Sequence, residues 1–451
     1  MRHIFFPLLL LLTAVAVEGS AGLEAAEDLT LGSLAWKARV IQARLEADHL
    51  SPEGLLKYEI DAETGEMTST GEVALETFLY LASQSLRFAV TGDSTARANV
   101  IRTLQAVRKL SAVTGKKGLL ARCYEIRDES KKYGKNWYSG ARPYEHYQWK
   151  NEISRDPYVG AFFSYRICYQ VIAAEEIRQL IRVEVEELMD HILSQGMAIE
   201  DINGKKRFSN RFGLTFATNT LAILQAAYQI TGKKIYRDKY QTLTRGWSLP
   251  FTAHPVAKVS IKVPFSHIFL FNHDMDYHDN LLFMAYYTLI PDEETPYLKK
   301  RYTRAMRRFW KNYVRGEGNS FFDIIYNAVL PEQSRDQNSL EQALHSLKSI
   351  PADGYAFYRT LFLEDHIQKA TIINTRGLLV NFFEGKLKSP EVYQQSAVPL
   401  PMEKRPLTNS WIWNQNPRRL TGPARTVIYA GHDFLLPYWM GRYHGFISAA
   451  E

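Results

Sequence analysis

Cysteine is nearly absent: Cys123 and Cys168 are the only two in 451 residues. A disulfide scaffold is thereby excluded. Either a single bridge or two isolated buried thiols fits the pair. Strand signals are scarce as well; KVSIKVPF (258–265) is the best of them, and it is short. Beyond the N-terminal leader, no stretch has the roughly 18 uninterrupted apolar residues of a membrane-spanning helix. The GxSxG elbow, the Gly-rich phosphate loop, HEXXH, zinc-knuckle spacing and a kinase-type set are all missing. These absences leave serine-nucleophile and nucleotide chemistry unsupported, and neither a cofactor nor a metal is expected. There is no dense basic arm, so nucleic acid is not an expected partner.

The chain begins with a short basic MRH, a compact apolar IFFPLLLLLTAVAV and the small residues EGSAG. This is the pattern of a secretory signal peptide, with cuts plausible after Ala16 or Ala21. Residues 1–21 are set apart as that signal, and 22–451 are read as one domain. The expected location is periplasmic or secreted. The formal charge is +7. Removing the signal takes away Arg2 and Glu18 and leaves the balance unchanged. Such an excess suits an acidic partner, a uronic-acid polymer or an anionic surface, but is also ordinary for this length.

Helical spacing dominates the rest. Six segments are apolar or small nearly all round: 73–90, 159–172, 214–230, 280–290, 320–330 and 433–447. A helix apolar on every side is buried on every side. Charged, amphipathic partners alternate with them at about 29–48, 95–112, 174–195, 234–246, 294–314 and 337–349. Six buried helices with six partners predict an all-α (α/α)6 toroid, an inner ring sheathed by an outer one, with few or no strands. FAVTGDS (88–94), SAVTGKK (111–117) and YQITGKK (228–234) repeat a glycine helix stop. The segment at about 348–432 is long and irregular, and is expected to wrap the toroid or cover its mouth.

Each inner helix is entered through a polar cluster: TSTGE (68–72), NEISRD (151–156), NRFG (210–213), HDMDYHD (273–279), RGEGN (315–319) and AGHD (430–433). Parallel inner helices would gather these clusters, and their positive N-termini, at one rim. Singly, each reads as a cap; together they are too rich in ionisable groups for capping alone. Asp156, before Pro157, is a natural N-cap. Glu152 and Arg155 beside it are not explained that way, since an arginine can hold a carboxylate ionised or clamp a substrate carboxylate. The aromatic approach at 134–150 offers Trp137, Tyr138, Tyr144, His146, Tyr147 and Trp149 as sugar platforms, or as a packed loop. In FNHDMDYHDN (271–280), Asp276 and Asp279 share a helix face. His273 and His278 lie five apart, poor spacing for two metal ligands on one helix.

With ISRDPYVGAFF (153–163), DMDYHDN (274–280), the alternating helices and the export signal, the chain resembles the six-hairpin glycosidase-like superfamily. These are α/α toroids of secreted and periplasmic carbohydrate-active proteins. The resemblance covers most of 30–347 and returns at 433–447. It implies a carbohydrate partner, and the excess of cations favours an acidic one. Among such toroids, glucuronyl hydrolases use paired aspartates, polysaccharide lyases use Asn, His, Tyr and Arg, and some members are inert.

Three readings follow. In a glycoside hydrolase, Asp156 with Asp276 or Asp279 would supply the acid and the base or nucleophile. In a polyuronide lyase, His273 or His278 would be the base and Tyr277 the acid, with Asn272 or Asn280 and an arginine on the uronate carboxylate. In a glycan-binding or envelope structural protein the same cavity would bind without reacting. Glu72 and Asp433, from the first and last rim clusters, join Glu152, Arg155, His146, Tyr147, Trp149, Tyr277 and Asn280 as expected substrate contacts.

Overall fold

The computed structural model describes residues 31–206, 210–213, 216–246, 260–263, 266–269, 277–352, 369–374, 391–406, 411–420 and 427–451. Twelve α-helices occur among them. The inner ones are α2 (Val73–Thr91), α4 (Arg155–Val171), α6 (Ala217–Thr231), α8 (Tyr277–Leu289), α10 (Ser320–Ala328) and α12 (His432–Tyr443). The outer ones are α1 (Leu34–Arg44), α3 (Ser94–Ala112), α5 (Glu175–Ser194), α7 (Lys234–Arg245), α9 (Pro296–Tyr313) and α11 (Gln337–Ser349). Inner helix packs on inner helix in the order α2, α4, α6, α8, α10, α12, and α12 returns to α2, so the ring closes. The fold is an (α/α)6 toroid.

The local sequence explains these elements. Gly92 and Gly232 stop α2 and α6 in the left-handed conformation, at φ 66° and 71°, where a side chain would be strained. Apolar residues surround the inner helices because each is covered by two ring neighbours and an outer partner. Gly160 on α4 lets α2 come close: a Cβ there would lie 2.5 Å from Leu75 Cδ1. The ring axis is filled rather than hollow. Phe163 meets Tyr287 edge-on at 5.7 Å, and Phe283 stacks on Phe322 at 4.2 Å. α4 also touches α8 across the ring.

The strands are short. β1 (Glu59–Asp61) pairs antiparallel with β9 (Val427–Tyr429), joining the start of the ring to its end. β2 (Cys123–Ile126), β3 (Trp137–Ser139) and β4 (Tyr147–Lys150) form a sheet in the order β2-β4-β3. β5 (Ser260–Val263), β6 (Ser266–Phe269), β7 (Lys369–Asn374) and β8 (Glu391–Ser396) form a second, with β6 and β7 parallel. β5 falls inside the KVSIKVPF segment. Cys123 and Cys168 are both buried and free, the second of the two arrangements the sequence allowed. No helix among the described residues is long and apolar enough to cross a membrane.

One buried carboxyl belongs to the ring itself. Asp323, in the first turn of α10, is fully buried and accepts from Trp310 Nε1 at 2.8 Å, while its Oδ2 has no partner. Burial pushes its pKa well above the usual carboxylate range. A pKa raised on folding adds stability below the unfolded value, near pH 4, which is lost as pH rises. Asp323→Asn is therefore expected to match the parent in urea unfolding at pH 4. At pH 8 it should be the more stable of the two. Equal stabilities at both pH values would contradict this.

Candidate functional site

The N-termini of all six inner helices are linked at one rim. Arg122, just before β2, makes the first link: its guanidinium donates to Glu72 Oε1 and Ser154 Oγ, both at 2.8 Å, and to Gly71 O. Glu72 is the N-cap residue of α2 and Ser154 that of α4. Arg155 opens α4 and donates to Arg211 O at 2.8 Å, with its guanidinium 4.1 Å from the ring of Phe216, the N-cap of α6. A strap at 411–413 joins the remaining three. Trp411 Nε1 donates to Asn280 Oδ1 on α8 at 3.0 Å; Trp413 O accepts from Asn319 Nδ2, the cap of α10, at 2.9 Å; and Ile412 N donates to Asp433 Oδ2 on α12 at 3.3 Å. Clusters scattered from residue 68 to residue 433 are thus neighbours in space.

Two levels can be distinguished at this rim. The deep level is sealed. Glu76, one turn into α2, lies with Oε2 2.6 Å from His432 Nε2, and both residues are buried. Asp433 beside them is also fully buried, and burial pushes its pKa up to about 6, with the Glu76 charge adding and His432 opposing. Trp411, Ile412 and Trp413 cover this level and are themselves buried. These three residues come from the stretch that reads as irregular in the sequence. Arg405 and Arg418 hold the same stretch down on the loop before α10: Arg418 Nη1 pairs with Glu317 Oε1 at 2.7 Å, and Arg405 donates to Glu317 O.

The upper level is reachable. Glu72, Arg122, Lys150, Glu152, Ser154 and Asp156 are all partly exposed, and the Arg122 side chain keeps 13% of its surface. Glu72 keeps 37% of its side-chain surface yet its pKa is raised to about 7. Desolvation is the main cause; Asp156 and Glu76 raise it further, and Arg122 opposes them. Ser154 relays between the two carboxyls, accepting from Arg122 and donating to Asp156 Oδ2 at 3.2 Å. Glu152 holds φ 93°, a strained backbone for a non-glycine residue. Its carboxylate accepts from Asn136 Nδ2 and lies 3.5 Å from Lys150 Nζ. That arrangement offers a proton donor, a second carboxylate and two cations within one notch between α2 and α4.

Several sequence expectations are corrected. Asp156 is not the N-cap of α4: Ser154 takes that position and Asp156 sits in the first turn, which leaves its carboxyl turned to Ser154 rather than to backbone donors. Arg155 points to α6 and is buried, so the arginine beside the carboxylates is Arg122. Tyr147 and Trp149 are buried rather than set around a cleft. Lys109 of α3 donates to Tyr147 Oη at 2.9 Å, and Trp149 Nε1 donates to Ser139 O at 3.2 Å. His146 is exposed and lies against Tyr147 at 4.3 Å, on the sheet that packs over α3. Asp279 and Asn280 are buried in the first turn of α8. Tyr277 and His278 begin that helix. Asn272, His273 and Asp276 lie outside the described residues.

Glu76, Arg122, Ser154, His432 and Trp411 were not singled out from sequence. Glu76 carried a signal: a carboxylate inside VALETFLYLA is costly unless a partner meets it. His432 stood in the AGHD cluster beside Asp433. Arg122 and Trp411 carried none, because their partners are 50 and 131 residues away.

No family model matches the chain. No curated protein matches it either. Among solved structures, the chain is similar to a D-mannose isomerase, with 13% identity, 71% of each chain covered and a TM-score of 0.32. It is also similar to the GH76A alpha-1,6-mannanase from Salegentibacter sp. HEL1_6, with 11% identity over 62% of this chain and 87% of that one, at a TM-score of 0.28. An inactive variant of that mannanase in complex with alpha-1,6-mannotriose gives 10% identity over 61% and 86%, at 0.27. These likenesses are distant, and the closed ring carries the architecture without them. The resemblance to six-hairpin glycosidase-like proteins holds at the level of the fold.

Proposed function

We infer that this is an exported, carbohydrate-active protein of the glycoside hydrolase type, with Glu72 as general acid and Asp156 as the second carboxylate. The observation that carries this reading is the raised pKa of Glu72, about 7, in a partly open notch that also holds Asp156. A glycosidase needs one carboxyl that keeps its proton near neutrality and another that serves as base or nucleophile. Burial and the neighbouring negative charge of Asp156 give Glu72 the first property. Arg122 and Ser154 fix the relative placement of the two groups. Glu152 and Lys150 line the same notch and suit hydroxyl or carboxylate groups of a sugar. Support for export is the N-terminal pattern of residues 1–21.

The pH profile tests the assignment. Glu72 donates a proton only while it holds one, so turnover on an oligosaccharide is expected to fall as pH rises through about 7. Arg122 stabilises the ionised form, so Arg122→Met should move this alkaline limb to higher pH. A limb that stays in place would show that another group titrates. The substrate is found by incubating the protein with neutral and acidic oligosaccharides and measuring new reducing ends. Products that absorb as unsaturated uronates would instead indicate elimination.

A further inference from the structure

α9 carries a charge pattern that neither the fold nor the rim uses. Lys299, Lys300, Arg301, Arg304, Arg307, Arg308 and Lys311 give it seven cations, and it has no acidic residue. The formal charge of the whole chain is also +7, so the rest of the protein is balanced and the surplus sits on one helix. The apolar side of α9 is fully engaged. Leu298, Tyr302, Met306, Phe309 and Trp310 are buried toward α8 and α10, and Trp310 stacks on Tyr326 at 3.9 Å.

The opposite side forms a stripe. Tyr297, Lys300, Arg304, Arg307 and Lys311 follow one another at three- and four-residue steps and are all exposed. Such steps put side chains on one face about one turn, ~5.4 Å, apart. Lys300, Arg304, Arg307 and Lys311 have no ion-pair or hydrogen-bond partner among the described residues. A solvated face is normally balanced by interleaved acids, and here there are none. At its N-terminal end the stripe opens into a recess of about 360 Å³ lined by Tyr297, Lys300, Arg301, Arg304, Ala305 and Arg308. Tyr297, 62% exposed, stands at that end as a ring available for stacking.

We propose that this face of α9 binds an acidic polysaccharide, one bearing a carboxylate or sulfate on each repeat. A linear array of cations at one-turn spacing matches a polymer that presents an anion at each sugar unit, and an exposed tyrosine at its end suits a sugar ring. A membrane surface fits less well, because amphipathic membrane helices expose Trp, Phe or Leu and this helix buries its own. The site lies apart from the rim carboxylates and does not depend on their chemistry.

The test uses the full chain and polygalacturonate, with dextran as the neutral polymer of similar length. Binding to polygalacturonate and not dextran is expected. The quadruple variant Lys300→Gln, Arg304→Gln, Arg307→Gln, Lys311→Gln should bind at least about tenfold more weakly, as the attraction is a sum over close charges. A control that removes as many exposed cations elsewhere, Lys117→Gln, Lys132→Gln, Lys135→Gln, Lys205→Gln, should change affinity by less than about threefold. Tyr297→Ala should weaken polygalacturonate binding while leaving inorganic polyphosphate binding unchanged. Should the quadruple variant misfold by circular dichroism, the pair Arg304→Gln, Arg307→Gln replaces it. Equal losses in the control, an indifferent Tyr297→Ala, or tighter binding to phosphatidylserine vesicles or a DNA duplex than to polygalacturonate would overturn the proposal. The quadruple variant should keep the parental rate on any short neutral oligosaccharide that the rim hydrolyses, so failure here and failure of the hydrolase reading are separable.

Discussion

Glu72→Gln is expected to reduce oligosaccharide hydrolysis by about 10²–10⁴-fold, the usual contribution of a positioned general acid. The substitution keeps the shape of the side chain and its contact with Arg122, so the loss reports on the proton and not on the fold. Asp156→Asn should cost a comparable factor, because the two carboxyls act on one bond. The double variant should be little worse than either single one, since residues that act as a unit give non-additive losses. Circular dichroism and urea midpoints should match the parent in all three. A Glu72→Gln variant that turns over at the parental rate would remove Glu72 from the mechanism. If Asp279→Asn then abolished turnover without unfolding the ring, the active carboxyl would be on α8 and the strap at 411–413 would have to open to reach it.

Why the ring was readable and the notch was not follows from what each depends on. An all-round apolar helix announces its burial through composition, and six of them with six amphipathic partners leave few ways to cover every face. α2, α4, α6, α8, α10 and α12 therefore fall within a few residues of the segments at 73–90, 159–172, 214–230, 280–290, 320–330 and 433–447. Gly92 and Gly232 mark helix ends because the cap geometry is local. The entry clusters were visible for the same reason. Which member of each cluster faces which neighbour was not. A shift of two residues in the start of α4 turns Asp156 from a cap into a first-turn carboxylate that accepts from Ser154, and sends Arg155 to α6. Sequence resolves helix ends no better than that. The aromatic run at 134–150 shows the opposite error: Tyr147 and Trp149 are buried by cross-strand pairing of β4 with β2 and β3, and that pairing leaves little trace in so short a strand.

The strap raises the second large effect, on stability. Trp411→Ala should destabilise the protein by about 3–5 kcal/mol, the range for deleting a large buried aromatic. Trp411 is completely buried, meets Phe321 edge-on at 5.3 Å and lies 5.4 Å from the ring of His432. Its removal would also strip Asn280 Oδ1 of its donor, worth about 1–3 kcal/mol for a buried acceptor. Trp411→Phe separates the two contributions: it keeps most of the packing and loses only the indole N–H, so its cost should stay near the smaller figure. The rim chemistry gives a second readout. Burial is the main reason Asp433 is raised to about 6, and the strap lies against its carboxyl through Ile412 N. With Trp411 cut back to alanine, the Asp433 pKa should fall toward the ordinary carboxylate range, measurable by NMR titration of a side-chain-labelled sample. A variant that keeps parental stability and leaves Asp433 unchanged would mean that the strap rests on the ring without sealing it. A variant that loses stability while the Asp433 pKa falls would show the strap to be the piece that closes the inner ring at its N-terminal mouth.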